Sequence, residues 1–312
     1  MQNIVFIIAG LTLLIAGGNW LLKSAVALSL RLNIPKIVIG MTIVSVATSA
    51  PELIVSIKAA LEGFPDLALA NVVGSNIANI GLVLAVVLLL GSIEVRRSFY
   101  TTDWPIMMLA SLIFIGFIYF DGKLERYEGI LMVISLFLFL IYLLKFQGTA
   151  VVEEAHEDDI PLPLYKAVLF LGFGGVALWG GSELLVNGAV GIANNYGVSE
   201  RVIGITVVSL GTSIPELAAS IIAIVKKEKA ISLGNLIGSN IFNLLAVLGI
   251  TSLITPIQVM DQRMLSNDIF WMLGISFLIF PLVFFPKGQR LGWRDGLVLI
   301  VVYSVFIYFT IQ

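Results

Sequence analysis

The chain has 312 residues, of which 59% are hydrophobic and 12% charged, with a formal net charge of −2. A soluble domain of this size carries roughly twice that charged fraction, so the long apolar runs identify a polytopic membrane protein and leave no soluble domain of useful size. The near-neutral balance gives nucleic acid no basic patch, and the absence of cysteine excludes disulfides, thiolate metal sites and cysteine nucleophiles.

At about 20 apolar residues per crossing, ten spans are expected, near 4–22, 37–60, 67–92, 104–120, 128–146, 164–186, 201–225, 231–254, 268–286 and 293–311. The first begins at Ile4 without a basic leader or a small-residue cleavage site and reads as a retained helix. The long polar connection is 147–163, with Glu153, Glu154, His156, Glu157, Asp158 and Asp159 between apolar flanks. It reads as a solvated linker between a first repeat, 1–146, and a second, 164–312. Five spans per half is an odd number, so the second half enters the membrane from the opposite side. The expected fold is therefore all-α, with ten transmembrane helices as two inverted five-helix repeats.

The basic residues set the orientation. With the N-terminus outside, cytoplasmic loops hold Lys23, Arg31, Lys36, Arg96, Arg97, Lys145, Lys166, Lys226, Lys227, Lys229, Lys287, Arg290 and Arg294, which is 13 of the 18. The opposite side keeps Lys58, Lys123, Arg126, Arg201 and Arg263. Both termini are then extracellular and the acidic linker cytoplasmic.

Two sequence blocks recur in the halves at one offset. GMTIVSVATSAPELIVS at 40–56 matches GITVVSLGTSIPELAAS at 204–220, and NVVGSNIAN at 71–79 matches NLIGSNIFN at 235–243, each 164 residues later. A glutamate within an apolar span is destabilising unless it has a function or a partner, and neither block holds a Lys or Arg to pair with it. In the first span of each pair, Ser45, Thr48 or Ser49, Glu52 and Ser56 follow helical spacing, as do Ser209, Thr212 or Ser213, Glu216 and Ser220. In the second, Asn71, Ser75 and Asn79 form a stripe matched by Asn235, Ser239 and Asn243. Asn76 and Asn240 lie off it and read as interhelical or capping amides.

Proline adds main-chain ligands. Pro51 and Pro215 cannot donate to the carbonyls of Ala47 and Gly211, and their rings press on them, so both helices open there. Irregular backbone at this depth is tolerated where it lines a cavity. Gly74 and Gly238 suit close approach or kinking in the partner helices. The oxygen inventory, without His or Cys, suits hard cations such as Ca²⁺, Mg²⁺ or Na⁺. Two glutamates match the charge of one divalent ion, and competing occupancy by monovalent ions supplies the logic of an antiporter. An enzyme is disfavoured: the single histidine lies in the linker, and no span carries paired aspartates.

The paired TSxPE and GSNIxN blocks, the five-span halves and the acidic linker resemble the sodium/calcium exchangers of the cation/calcium exchanger superfamily. The resemblance implies electrogenic exchange of Ca²⁺ for several Na⁺ by alternating access, driven by the sodium gradient, with no cofactor and no obligatory protein partner. It implies Glu52 and Glu216 as central Ca²⁺ ligands, completed by the carbonyls of Thr48 and Thr212. Ser49, Ser75, Ser213 and Ser239, with the carbonyls of Ser45 and Ser209, match Na⁺ positions, and Asn79 and Asn243 match the remaining central ones. The first and sixth helices, here about 4–33 and 164–195, match a mobile pair. Ala47 stands where the family commonly has Gly. Asn243 replaces an aspartate of potassium-dependent relatives, and Ser75 and Ser239 stand where proton-coupled ones tend to carry glutamate. Ca²⁺/H⁺ exchange and K⁺-dependent Na⁺/Ca²⁺ exchange are the alternatives.

Overall fold

The computed structural model describes residues 2–146, 162–196, 209–285 and 288–311. In chain order the helices are α1 Gln2–Leu32, α2 Lys36–Thr48, α3 Ala50–Leu61, α4 Pro65–Leu90, α5 Phe99–Ile118 and α6 Arg126–Phe146. The second half contributes α7 Leu164–Asn195, α8 Ile214–Val225, α9 Lys229–Ile254, α10 Met264–Phe284 and α11 Trp293–Ile311. A single turn, Ser209–Gly211, precedes α8.

Among the described residues eight helices are long and apolar enough to cross a membrane, or nine if α2 and α3 form one span bent by 45°. The chain is thus an all-helical, multi-pass membrane protein. The expected seventh span keeps only its later part here, because 201–208 lie outside the described residues, as does 147–161 of the expected linker with His156 and its acids.

Two helices outrun their apolar runs and reach the lengths that the resemblance implied, about 4–33 and 164–195. α1 continues from the apolar run to Leu32 because Ser24, Ala25, Ala27, Leu28 and Ser29 are buried on its inner face while Lys23 stays exposed. α7 likewise runs on to Asn195. The two helices pack antiparallel through small residues repeating every seven: Gly10, Gly17 and Ser24 on α1 face Gly181, Gly174 and Ala167 on α7. A Cβ on Gly17 would lie 2.9 Å from the Gly174 carbonyl, and one on Gly181 the same distance from the Gly10 carbonyl. Backbones this close admit only glycine. Where the seam reaches Ser24, its hydroxyl donates to the Ala167 carbonyl at 2.7 Å.

α4 and α9 are the most enclosed helices and carry the main apolar core. α2 lies against α9 so closely that a Cβ on Gly40 would meet the Ile231 carbonyl at 2.6 Å, and one on Gly238 would collide with Ser45 and Met41. The close approach expected at Gly238 is present; at Gly74 no described neighbour comes within 4 Å of a Cβ. Two short antiparallel pairs tie the halves together at the loops, β1 Ile93–Glu94 with β4 Arg290–Leu291 and β2 Lys123–Leu124 with β3 Ile257–Gln258.

Widened π-helical turns interrupt the helices at Gly40–Val44, Asn79–Leu84 and Asn243–Leu248, and open α5 and α10 at Phe99–Asp103 and Met264–Asp268. Nothing in the hydrophobic pattern announces them. Two start at Asn79 and Asn243, residues repeated at the offset of 164, and such turns often occur at functional sites.

Candidate ion-binding site

The site begins with the two prolines. Each sits in the first turn of its helix, and the preceding break residue takes the sparsely populated bridge conformation: Ser49 at φ −89°, ψ 7° and Ser213 at φ −86°, ψ 0°. The break lets a fresh helix start in mid-protein, with Glu52 and Glu216 in its first turn. Amides at a helix start carry partial positive charge, which favours a carboxylate there. Both glutamates are completely buried.

Around them the asparagines of α4 and α9 form a reciprocal lattice. Asn76 Nδ2 donates to the Asn240 carbonyl at 3.2 Å, and Asn240 Nδ2 to the Asn76 carbonyl at 3.1 Å. Asn79 Nδ2 donates to Asn240 Oδ1 and Asn243 Nδ2 to Asn76 Oδ1, both at 3.1 Å. The off-stripe pair Asn76 and Asn240 therefore bridges the helices, as expected, and also orients the stripe amides. With their amino groups taken, Asn79 and Asn243 keep their Oδ1 atoms buried and without a donor among the described residues.

The threonines repeat the exchange. Thr48 Oγ1 donates to Asn235 Oδ1 and Thr212 Oγ1 to Asn71 Oδ1, both at 3.2 Å. Thr48 also lies 3.4 Å from Ser239 Oγ, and Thr212 lies 3.2 Å from Ser75 Oγ. Asn71 and Asn235 anchor outward, donating to Ser56 Oγ at 3.0 Å and Ser220 Oγ at 3.2 Å. Ser56 and Ser220 thus support the lattice from behind.

At the glutamates the symmetry fails. Glu216 Oε1 accepts from Ser49 Oγ at 2.9 Å and from Ser239 Oγ at 3.4 Å. Glu52 accepts a side-chain bond only on its main-chain carbonyl, from Asn71 Nδ2 at 3.2 Å: both its carboxylate oxygens, like Glu216 Oε2, are buried without a donor among the described residues. Ser213 Oγ, matched to Ser49 by the offset, is also buried and unpartnered among them. Among the described residues the ion pairs are Lys36–Glu228 and Lys58–Glu62, neither of which involves these glutamates.

Buried polar atoms in native proteins almost always find a partner. Six here do not: two on Glu52, one each on Glu216, Asn79, Asn243 and Ser213. All are oxygens, and five can only accept. Such a set is satisfied by a positive ion with a taste for oxygen. No described cluster of three or more His, Cys, Asp or Glu exists, consistent with amide and hydroxyl oxygens completing the coordination.

Of the predicted site residues, the structure thus gathers Thr48, Ser49, Glu52, Ser75, Asn79, Thr212, Ser213, Glu216, Ser239 and Asn243. The Ser45 hydroxyl turns away, donating to the Gly40 carbonyl at 2.7 Å, while its own carbonyl accepts from the Ser49 amide at 2.8 Å. Ser209 opens the turn before the second break. One participant was not foreseen: Ser182 on α7, whose hydroxyl donates to the Gly211 carbonyl at 2.6 Å. In the register kept by the packed glycines, where Gly10 corresponds to Gly174 and Gly17 to Gly181, its match in the first half is Gly18, so the repeat carried no signal for it.

Comparison with known proteins places this geometry in context. The model of the family described as sodium/calcium exchanger protein matches residues 2–145 and 166–312. CaxA of Alkalimonas amylolytica is 37% identical over 97% of both chains. The sodium/calcium exchanger MaX1 of Methanosarcina acetivorans is 28% identical over 98% of this chain and 97% of its own. A solved structure of the sodium-calcium exchanger NCX_Mj, soaked without Na⁺ and Ca²⁺, superposes with a TM-score of 0.84 at 25% identity, covering 99% of each chain.

Proposed function

This chain belongs to the sodium/calcium exchanger protein family, and from that premise we propose that it exchanges Ca²⁺ for several Na⁺ across the membrane by alternating access. The observation that carries the reading is the convergence of two buried glutamates, one from each half, with three of their four carboxylate oxygens lacking donors among the described residues beside equally unpartnered amide and hydroxyl oxygens. Glu52 and Glu216, with the carbonyls of Thr48 and Thr212, are the Ca²⁺ ligands in this reading. Ser49, Ser75, Ser213 and Ser239, with the carbonyls of Ser45 and Ser209, serve Na⁺, and Asn79 and Asn243 complete the centre.

The mechanism follows from charge. Two carboxylates facing one another in a low-dielectric interior are strongly destabilised when empty, so the unloaded site resists reorientation. One Ca²⁺ or several Na⁺ relieve that charge, and the loaded site can change sides. Exchanging one divalent ion for more than two monovalent ions moves net charge, which makes the cycle electrogenic and lets the sodium gradient drive it. Ten spans in two inverted repeats, 1–146 and 164–312, would bring both blocks to the midplane. The acidic linker would be cytoplasmic and both termini extracellular.

The test is ⁴⁵Ca²⁺ uptake into proteoliposomes preloaded with Na⁺, repeated with and without K⁺ and with a proton ionophore. Uptake that requires the outward Na⁺ gradient and ignores the other two conditions is expected. Uptake indifferent to Na⁺ but following ΔpH would overturn the reading in favour of proton coupling, and an absolute need for K⁺ would move it to the potassium-dependent branch.

A further inference from the structure

We propose that Ser182 is a positioning residue for Na⁺ recognition, holding the second helix break so that Ser213 stays off Glu52 until α7 lets go. The inference rests on the Na⁺/Ca²⁺ reading of the site and adds a residue outside the repeated blocks.

Pro215 supplies no amide to the Gly211 carbonyl, which is left without its helical donor in a buried position. A buried carbonyl needs a partner. It finds one on a different helix: Ser182 Oγ, itself buried, donates to it at 2.6 Å. One turn further along α7, Val186 packs on the same residue, so that a Cβ on Gly211 would meet its Cγ2 at 2.8 Å. α7 therefore grips the break at the residue just before Thr212 and Ser213.

The first break has no such grip. Its orphan carbonyl belongs to Ala47, the residue matching Ser182 is Gly18, and the α7 residue beside that carbonyl is Gly175, whose Cβ would lie 3.9 Å away. Neither glycine has a hydroxyl to give. The two breaks also differ in what they deliver. The free break presents Ser49 to Glu216 at 2.9 Å, whereas the gripped break leaves Ser213 Oγ and both Glu52 oxygens without partners among the described residues.

α7 has room to change this contact. An open groove of about 570 Å³ runs along its contact with α2 and α3, lined by Thr42, Val46, Pro51, Gly175 and Trp179. A second of about 650 Å³ lies between it, α1, α4 and α8, with Val186, Leu210, Ser213 and Leu217 on its wall. Through Ser182, any displacement of α7 is transmitted to the Ser209 carbonyl and the Ser213 hydroxyl. Both belong to the Na⁺ side of the proposed site; of the Ca²⁺ ligands, Glu52, Glu216 and Thr48 are untouched by the bond and Thr212 alone adjoins it.

The test compares wild type, Ser182→Ala, Ser182→Thr and Ser24→Ala in detergent. Equilibrium binding of ⁴⁵Ca²⁺, its displacement by Na⁺, and hydrogen–deuterium exchange of the peptide spanning 209–213 are measured. Loss of one net hydrogen bond predicts overall Na⁺ binding tightened about two- to twelvefold in Ser182→Ala, read for three displacing ions as a Na⁺ midpoint lowered about 1.3- to 2.3-fold, with Ca²⁺ affinity changed by a smaller factor than Na⁺ binding and faster amide exchange at 209–213. Ser182→Thr, which keeps the hydroxyl, should match wild type. So should Ser24→Ala, which removes the α1–α7 hydroxyl bond without touching the break. If Ser182→Ala yields no folded protein, Ser182→Cys, a weak donor of similar size, should shift the Na⁺ midpoint in the same direction by less. A Na⁺ midpoint that stays put or rises, an equal shift in Ca²⁺ affinity, or the same shift in Ser24→Ala overturns the assignment. Wild-type Ca²⁺ binding indifferent to Na⁺ defeats the exchange reading instead. Exchange at 209–213 then decides the grip alone, and no change in Ser182→Ala overturns it.

Discussion

Replacing each central glutamate by glutamine separates ligand chemistry from fold stability, because the two side chains sit in unequal surroundings. For Ca²⁺ binding the variants should resemble each other: either removes one of two buried charges facing the ion. Removing one member of a buried charge pair costs about 3–5 kcal/mol, or roughly a 100- to 5,000-fold loss of Ca²⁺ affinity. For the ion-free protein they should diverge. Relief of carboxylate–carboxylate repulsion is common to both and cancels in the comparison. Glu216→Gln, however, weakens charge-assisted bonds from Ser49 and Ser239, whereas Glu52→Gln replaces oxygens that accept no described side-chain bond. Charge-assisted bonds contribute about 1.5–3 kcal/mol each, so ion-free Glu52→Gln should exceed ion-free Glu216→Gln in stability by about that amount. Thermal unfolding in detergent with a chelator, followed by size-exclusion fluorescence, measures the difference, and ⁴⁵Ca²⁺ binding measures the affinity. A less stable Glu52→Gln would refute the asymmetry, and Ca²⁺ affinity within tenfold of wild type in either variant would remove the glutamates from the site.

Two further perturbations probe the frame that holds it. Gly17→Ala and Gly181→Ala place a Cβ 2.9 Å from a facing carbonyl and should each cost about 1–3 kcal/mol; Gly172→Ala and Gly180→Ala, which meet no described atom within 4 Å, should be neutral in the same melting assay. Lys36 and Glu228 pair at 2.9 Å, both nearly buried, where α2 meets the start of α9. Lys36→Met should lose about 3–5 kcal/mol; a variant as stable as wild type would contradict that account.

How legible the site was depended on how local its cause is. The two breaks follow from Pro51 and Pro215 alone, and the stripes of Ser, Thr and Asn follow from helical spacing, so sequence marked them. The apolar runs of α1 and α7 stop short of the helices, at Lys23 and at Asn187, although Lys23 points outward and the small residues after it remain buried; only the family resemblance carried their full lengths. The π turns depend on how α4 and α9 accommodate the asparagine lattice, a tertiary matter. Ser182 was invisible for a different reason. Repetition was the guide to function, and Ser182 matters where the halves differ.

That difference has a consequence for how one site can face two sides. Two halves of matching sequence, each holding a proline break and a glutamate, could in principle adopt identical geometries. Here they do not: Ser49 engages Glu216, while Ser213 stands off Glu52. In the proposed alternating-access cycle, exchanging the roles of the halves would yield a second conformation with the same contacts, in which Ser213 engages Glu52 and Ser49 stands off. Near-identical blocks make the two conformations close in energy, as a carrier that must visit both requires. Residues that break the repeat then tilt the balance, and a hydroxyl at Ser182 against none at Gly18 stabilises one arrangement only. One net hydrogen bond is worth about 0.5–1.5 kcal/mol, enough to bias two such states severalfold and small enough for bound ions to reverse.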